Sequence, residues 1–175
     1  EKYCYGNDPD NCDTNPNPTY PDGGLYQWDE AMGYVATCNG TGSSQPECSS
    51  PVQGICPDGW HIPSHYEYTQ LEREVCTSGT CASDFPYDES TTGWRGTDEG
   101  TKLKPGGSSG FEGNLAGYRD TGGSFNNRTS GGHFWSSTEY DSSNSWYRNL
   151  HSSVTDVNRY SNSKELGFSV RCLKD

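Results

Sequence analysis

The sequence predicts an α+β domain held together by disulfide bonds. Two segments with helical apolar spacing lie in the first half of the chain, and four short strand-like segments form its last third. A long Gly-rich stretch separates the two groups. Eight cysteines occur among 175 residues, of which only 29% are hydrophobic. An even number of cysteines in such a chain is typical of a disulfide framework that supplements a small core.

The composition also limits the partners and the location. The formal net charge is -12, and the twelve lysines and arginines are dispersed along the chain. Nucleic acids and anionic membrane surfaces are therefore unsuitable partners. No stretch approaches the roughly 18 apolar residues that cross a bilayer, so we expect no direct membrane insertion by this chain. Because disulfides persist in oxidising compartments, we expect an extracellular or cell-surface protein.

The first helix is predicted over residues 25–34. Residues 1–24, before it, are rich in Asn, Asp, Pro and Gly, which indicates a loop. Leu25, Trp28 and Met32 then recur at helical spacing and would form an apolar face. This helix is expected to supply part of the core.

The second helix is predicted from Ser64 to about Cys76. Ser64 and Glu67 form an S-x-x-E capping box directly after Pro63. The segment TSGTC cannot continue the helix. Its buried stripe is predicted to consist of Tyr68, Leu71 and Val75.

Residues 82–132 are predicted to form a long ordered loop. Gly recurs throughout this stretch, and a segment of this length is rarely an idle connector. Its apolar side chains would anchor it to the rest of the domain. These anchors are Trp94, Leu103, Phe111, Leu115, Tyr118 and Phe125.

The last third is predicted to be a small antiparallel sheet. Its four strands are HFWSSTEY, SWYRNLHSS, VTDVNRYS and GFSVRCLKD, separated by Asp-Ser-Ser-Asn and Asn-Ser-Lys turns. In SWYRNLHSS, alternation places Trp146, Arg148 and Leu150 on one face and Tyr147 and Asn149 on the other. Both faces can belong to the core only if the sheet is covered twice.

The stretch CPDGWHIPSHYEY places Cys56, His61 and His65 close together in sequence. Its spacing is close to that of zinc ligands, and a thiol beside a histidine also raises a catalytic alternative. However, His61 and His65 lie on either side of Pro63, so they do not share a helical face as the histidines of a zinc-protease helix do. A structural turn that opens the second helix is the favoured interpretation.

Several motifs resemble known folds and families. WDEAM followed by CPDGWHIPSHYEY, with SVRC near the end, resembles the C-type lectin-like fold. GLYQWDEAM, QGICPDGWHIPS, LAGYRDTGGSF, FWSSTEYDSSNSWYRNL and GFSVRCLKD are similar, in order, to the Fibrobacter succinogenes major paralogous (FISUMP) domain. The resemblance implies one domain over residues 1–175, located on or secreted from a bacterial cell. It implies no enzymatic activity.

The chain departs from the family pattern in two places. Family members usually carry an N-terminal strand segment before the CY-x-NDP-x-NC motif, whereas this chain begins at EKYCYGNDPDNC. We therefore expect an unpaired sheet edge. The second departure is an inserted polar loop at about residues 38–52, which carries an additional pair of cysteines, Cys38 and Cys48.

Local spacing and the resemblance together favour one disulfide connectivity among the many that eight cysteines allow. The expected bonds are Cys4–Cys12, Cys38–Cys48, Cys56–Cys172 and Cys76–Cys81. In this arrangement Cys56 is neither a zinc ligand nor a nucleophile. No other residues form a recognisable catalytic set, so we expect a protein that is not an enzyme.

We expect no cofactor, with calcium as the one candidate ion. The calcium-binding motifs of true C-type lectins are absent from this sequence. NDPDNCD nevertheless presents Asp8, Asp10 and Asp13 in a tight loop, and calcium prefers such oxygen ligands. The alternative is an Asp- and Asn-rich turn closed by a disulfide.

Aromatic and arginine side chains supply a candidate recognition surface. Such side chains suit stacking on sugar rings or anchoring a protein partner. The candidates are Trp94, Arg95, Arg119, Tyr140, Tyr147, Arg159 and Tyr160. The alternative is that Trp135, Trp146, Tyr118 and Trp94 form the small core.

The function predicted from these features is adhesion, or binding of a glycan or protein, at the cell surface. A second candidate is a structural subunit of a surface filament or pilus-like appendage that binds copies of itself. In that case a neighbouring subunit would complete the unpaired sheet edge.

Overall fold

The computed structural model describes residues 1–13, 22–34 and 51–175, and it has a mixed α and β architecture with few helices. The helices are α1 (Asp10–Asp13), α2 (Trp28–Ala31), α3 (His65–Val75), α4 (Cys81–Asp84) and α5 (Glu99–Leu103). The strands are β1 (Lys2–Tyr3), β2 (Leu25–Tyr26), β3 (Trp60–His61), β4 (Gly93–Arg95), β5 (Tyr118–Arg119), β6 (Phe125–Asn126), β7 (Gly131–Glu139), β8 (Asn144–His151), β9 (Val157–Ser163) and β10 (Leu173–Lys174).

The central sheet is antiparallel with strand order β4-β9-β8-β7. Three of its strands lie where the sequence predicted them, but the fourth does not. The predicted last strand, residues 167–175, is not a member of this sheet: β10 pairs with β3, and Ser169 forms an isolated bridge to Phe134. The fourth strand is β4, from the stretch predicted to be an irregular loop.

Both faces of the central sheet are covered in its β7–β8 half. On one face Phe134, Leu150 and Val157 pack with Tyr68 of α3 and Leu103 of α5. On the other face Trp135 and Tyr147 pack with Trp28, Met32 and Phe168. Because both faces are covered here, successive residues of β8 are buried whichever face their side chains lie on.

The first predicted helix is shorter than expected. Its first two residues form β2 instead, which pairs with β1, and Tyr26 also bridges to Phe168. These non-local backbone pairings outweigh the local helical spacing. Helix α2 nevertheless buries Trp28 completely, and the indole Nε1 donates a hydrogen bond to the carbonyl of Ser136 at 2.8 Å.

Helix α3 begins where the sequence predicts. The Ser64 hydroxyl accepts a hydrogen bond from the Glu67 backbone N–H at 3.2 Å, and the Glu67 carboxylate accepts one from the Ser64 N–H at 2.8 Å. This capping box satisfies backbone donors that the first helical turn leaves without partners. Tyr68 lies in the core, as predicted, and Leu71 and Val75 are partly buried against it.

A buried polar network fastens α3 to the sheet. Arg148 of β8 forms an ion pair with Glu72, and Glu72 is fully buried. His65 contacts Arg148 at 3.2 Å and Arg159 of β9 at 2.7 Å. Burial, together with these two guanidinium groups, lowers the pKa of His65 to about 2, so this imidazole is neutral. The network replaces aliphatic packing that the sequence lacks.

Three predicted disulfides are confirmed, and the fourth lies outside the described residues. The confirmed bonds are Cys4–Cys12, Cys56–Cys172 and Cys76–Cys81. The Cys38–Cys48 prediction falls in the part of the chain that is not described, as does most of the predicted 38–52 loop. Among the described residues, no helix has the length and apolar character needed to cross a membrane.

Candidate functional site

The histidines of CPDGWHIPSHYEY have structural partners. The ring nitrogens of His61 lie 2.6 Å from Asp175 Oδ1 and 2.9 Å from Glu67 Oε1. His65 belongs to the buried network beneath α3, and Cys56 is bonded to Cys172. The interpretation of this stretch as a structural turn is therefore supported.

The acidic N-terminal loop forms a local turn. The Asp8 carboxylate accepts a hydrogen bond from the Asp10 backbone N–H at 3.0 Å, and the Asp13 side chain lies outside the described atoms. In the described part of the chain, no three His, Cys, Asp or Glu side chains gather in a cluster that could hold a metal ion.

The sequence-predicted recognition residues do not form one surface. Trp94, Tyr140 and Tyr160 are exposed, with 41%, 51% and 49% of their surface accessible. Tyr147 and Arg159 are buried, with 7% and 0% accessible, so their prediction as exposed binding residues needs correction.

The two corrections have a structural cause. Tyr147 lies on the half of the sheet covered by Phe168, and their ring centroids are 4.9 Å apart. Arg159 points to the helical face, where it donates hydrogen bonds to the carbonyls of Pro86 and Asp88 at 3.0 and 3.1 Å. Neither side chain reaches the surface.

The other two predicted arginines are held by the protein itself. Arg95 donates hydrogen bonds to the carbonyls of Ser83 and Asp84. The Arg119 guanidinium stacks over Tyr3, with Cζ 3.9 Å from the ring centroid. Both side chains therefore have structural roles.

Trp94 and Tyr160 share an exposed face of the sheet. Trp94 of β4 pairs with Asn158 of β9, and Tyr160 lies two residues further along β9 on the same face. Diagonal neighbours of this kind are about 7–8 Å apart at Cα, within reach of aromatic side chains. We call Trp94, Asn158 and Tyr160 the aromatic strip.

The aromatic strip lies next to the part of this face that Trp28, Met32 and Phe168 cover. Tyr160 of β9 pairs directly with the buried Tyr147 of β8, so the boundary between the covered and the exposed half of this face lies between these two strands. The amide oxygen of Asn158 has no hydrogen-bond partner among the described residues. The exposed Tyr140 lies elsewhere, because its ring contacts Trp146 of the opposite face at 5.3 Å.

A groove that sequence reasoning missed lies beside the start of α3. It consists of two chambers of about 250 and 330 Å³. The first is lined by Glu67, Tyr68, Leu71, Phe111, Arg171 and Leu173, among others. The second is lined by Asp22, Glu112, Asn114, Phe134, Ser169 and Arg171, among others.

Arg171 lines both chambers, and we name them together the Arg171 groove. Its side chain is exposed, and its Cζ lies 5.5 Å from the centroid of the Phe111 ring. The sequence carried no signal for this groove, because its walls come from five separate parts of the chain.

The family model described as the Fibrobacter succinogenes major domain matches residues 1–174. No curated protein and no solved structure shows a significant match. The match covers nearly the whole chain, which agrees with the motifs described above and suggests a surface-associated domain. The chain therefore belongs to the Fibrobacter succinogenes major domain family.

Proposed function

We propose that this domain is a non-enzymatic, exported binding module that recognises carbohydrate through the aromatic strip. The observation that carries the proposal is the exposure of Trp94 and Tyr160 on one sheet face, with Asn158 between them. Single exposed aromatic residues are common on protein surfaces, but neighbouring ones that form one patch are typical of interaction sites. The bacterial cell surface is the location that family membership supports best.

The chemistry of the aromatic strip suits a sugar ring. Aromatic faces pack against apolar C–H surfaces, and the polar edges of Trp and Tyr supply hydrogen-bond donors. The Asn158 side chain lies between the two rings and carries an amide nitrogen that can donate hydrogen bonds. None of the three residues of the aromatic strip carries a charge, and in a chain with a formal net charge of -12 this surface favours a neutral ligand over an anionic one.

A glycan array with point variants tests this proposal. We expect Trp94→Ala and Tyr160→Ala each to weaken binding about tenfold or more, because each removes a stacking surface. Trp60→Ala is the matched control, since Trp60 has 39% of its surface accessible, close to the 41% of Trp94, but lies in β3. Equal losses in all three variants, or no glycan binding by the wild type, would contradict the proposal.

Thermal unfolding measured with calcium and with EDTA tests the calcium candidates Asp8, Asp10 and Asp13. We expect calcium at this loop to raise the thermal unfolding temperature, since a ligand of the folded state stabilises it. Identical unfolding temperatures with calcium and with EDTA would remove calcium from the proposal.

Assembly into a surface filament is the second candidate function. It is favoured by the position of β4, which lies at the end of the central sheet with no further strand beside it in the described residues. An open strand edge can pair with another chain. Sedimentation and electron microscopy test this candidate: repeated contacts that bury more than about 1,000 Å² would favour it over carbohydrate recognition.

We also propose the C-type lectin-like fold for this chain. The supporting observations are the resemblance of WDEAM, CPDGWHIPSHYEY and SVRC, and the disulfide that joins Cys56 to Cys172. An experimental structure compared with C-type lectin domains tests this assignment.

A further inference from the structure

The Arg171 groove contains a positive charge that the described protein does not neutralise. Arg171 forms no hydrogen bond or ion pair with a described residue, and it contacts the face of Phe111. By contrast, Arg148 and Arg128 each have a carboxylate partner. An arginine over an aromatic ring keeps its planar donors available for a ligand.

A buried hydroxyl beside Arg171 also has no partner. Tyr68 has 3% of its surface accessible and lines the first chamber, and its hydroxyl makes no hydrogen bond within the described residues. Burial raises the pKa of Tyr68, and the charges of Arg148 and Arg171 oppose this change without overcoming it, so the hydroxyl stays protonated. A buried donor without an acceptor destabilises the protein, and a ligand oxygen can remove that cost.

We propose that the Arg171 groove binds a ligand that carries a carboxylate next to an aromatic or branched apolar group. The carboxylate would accept hydrogen bonds from the Arg171 guanidinium and the Tyr68 hydroxyl, which are both donors. The apolar group would pack against Leu71, Phe111 and Leu173 in the first chamber. This site is separate from the aromatic strip and does not depend on the proposed carbohydrate function.

The acidic residues of the groove do not compete for Arg171. The Glu67 carboxylate accepts hydrogen bonds from Ser64 and contacts His61. Asp22 forms an ion pair with Arg128, and Glu112 accepts a hydrogen bond from the Gly106 N–H. Each therefore has a protein partner, which leaves Arg171 for an external anion.

Calorimetric titration of the folded, disulfide-bonded chain with phenylpropionate tests the proposal. We expect a Kd in about the millimolar range, because each non-hydrogen atom of a small ligand contributes only a limited binding free energy. The matched neutral probe is phenylpropionamide, which keeps the ring and removes the charge. We expect the amide to bind about 10- to 100-fold more weakly, because it lacks the charge-assisted contact with Arg171.

Three variants separate the contributions of the groove. Arg171→Met is expected to weaken phenylpropionate binding about 10- to 100-fold, and Tyr68→Phe about 2- to 10-fold. Tyr68→Phe keeps the ring and removes only the hydroxyl, so the fold is retained. Lys174→Met is the control, since it removes an exposed positive charge from the neighbouring β10 but does not line the groove.

Peptides distinguish two sources of the carboxylate, a small molecule and the C-terminus of a polypeptide chain. A tripeptide that ends in a free Phe carboxylate, compared with its C-terminal amide, tests for capture of a chain terminus. Tighter binding of the peptide acid than of phenylpropionate assigns the groove to chain ends, and weaker binding assigns it to small carboxylates. Equal binding of phenylpropionate and its amide, or equal losses in Arg171→Met and Lys174→Met, would overturn the proposal.

Discussion

His61 connects the start of α3 to the end of the described chain. Its two ring nitrogens face the carboxylates of Glu67 and Asp175, and the histidine side chain is 8% exposed. Burial alone would lower the pKa of His61, but the hydrogen bonds to Asp175 and Glu67 raise it above the usual 6.5 overall. A folded state that holds the proton more tightly than the unfolded state gains stability from protonation.

This linkage predicts a pH effect with a definite sign. The stabilisation from His61 is fully present below pH 6.5 and is lost as pH rises through the raised pKa of the folded state. We expect the free energy of unfolding to fall as pH rises above 6.5. His61→Gln should remove this decline in urea denaturation, whereas His151→Gln should retain it. A decline of equal size in His61→Gln would show that another group causes it.

The buried histidines act in the opposite direction and in another pH range. Burial, first of all, lowers the pKa of His65 to about 2 and that of His133 to about 4. Their contribution is therefore complete above pH 6.5 and is lost as pH falls below it. The two effects do not overlap, so a decline above pH 6.5 reports on His61.

Helix α5 packs closely against the loop that follows β8, and the contact is made at a glycine. A Cβ atom at Gly100 would lie 2.1 Å from the carbonyl oxygen of Asp156, a backbone atom that cannot turn aside. The Thr101 N–H donates a hydrogen bond to the carbonyl of Thr155 at 3.1 Å in the same contact. The close approach therefore requires a residue without a side chain.

Gly100→Ala tests this contact, because helix propensity and packing predict opposite changes in the free energy of unfolding. Helix propensity favours alanine by about 1 kcal/mol, whereas forced separation of packed elements costs about 1–3 kcal/mol. We expect net destabilisation, measured by urea unfolding. Gly79→Ala is the control, since a Cβ there meets no atom within 4 Å, and its effect should stay within about 0.5 kcal/mol. A more stable Gly100→Ala variant would show that α5 can move away from the loop.

Local signals predicted some elements and could not predict others. The start of α3 follows from Ser64 and Glu67, which are three positions apart in sequence and hydrogen-bond to each other in the fold. Strand β4 has only three residues, Gly93–Arg95, and its partner β9 lies far along the chain. Gly93 and the following Gly96 both have positive φ. A single sequence carries no signal for such a pairing.

In the candidate site, too, residue type could be predicted from the sequence but spatial arrangement could not. Trp94 and Tyr160 were predicted as individual recognition residues from their type, but their common face depends on the β4–β9 register. Arg159 has the same type as an exposed recognition residue, yet it faces α3 and is buried. The groove around Arg171 depends on which neighbouring charges are already paired, and only the three-dimensional structure contains that information.

At the scale of the whole molecule, one covalent bond closes most of the chain. Cys56 and Cys172 are separated by 116 residues, and their bond joins the entry to β3 and α3 to the final segment. Cys76 and Cys81 are separated by only 5 residues. Loop-closure entropy grows with the logarithm of loop length, so the first bond constrains the unfolded chain far more than the second.

The two bonds therefore should differ in their effect on stability. The chain-entropy model gives about 5 kcal/mol for the 116-residue loop and about 2 kcal/mol for the 5-residue loop. We expect Cys56→Ala/Cys172→Ala to lose about twice as much free energy of unfolding as Cys76→Ala/Cys81→Ala in urea titrations. Alanine is the appropriate replacement, because a serine hydroxyl at the buried Cys56 would add a separate desolvation cost. Equal losses for the two pairs would show that local strain or packing, rather than closure of the long loop, determines how these disulfides stabilise the fold.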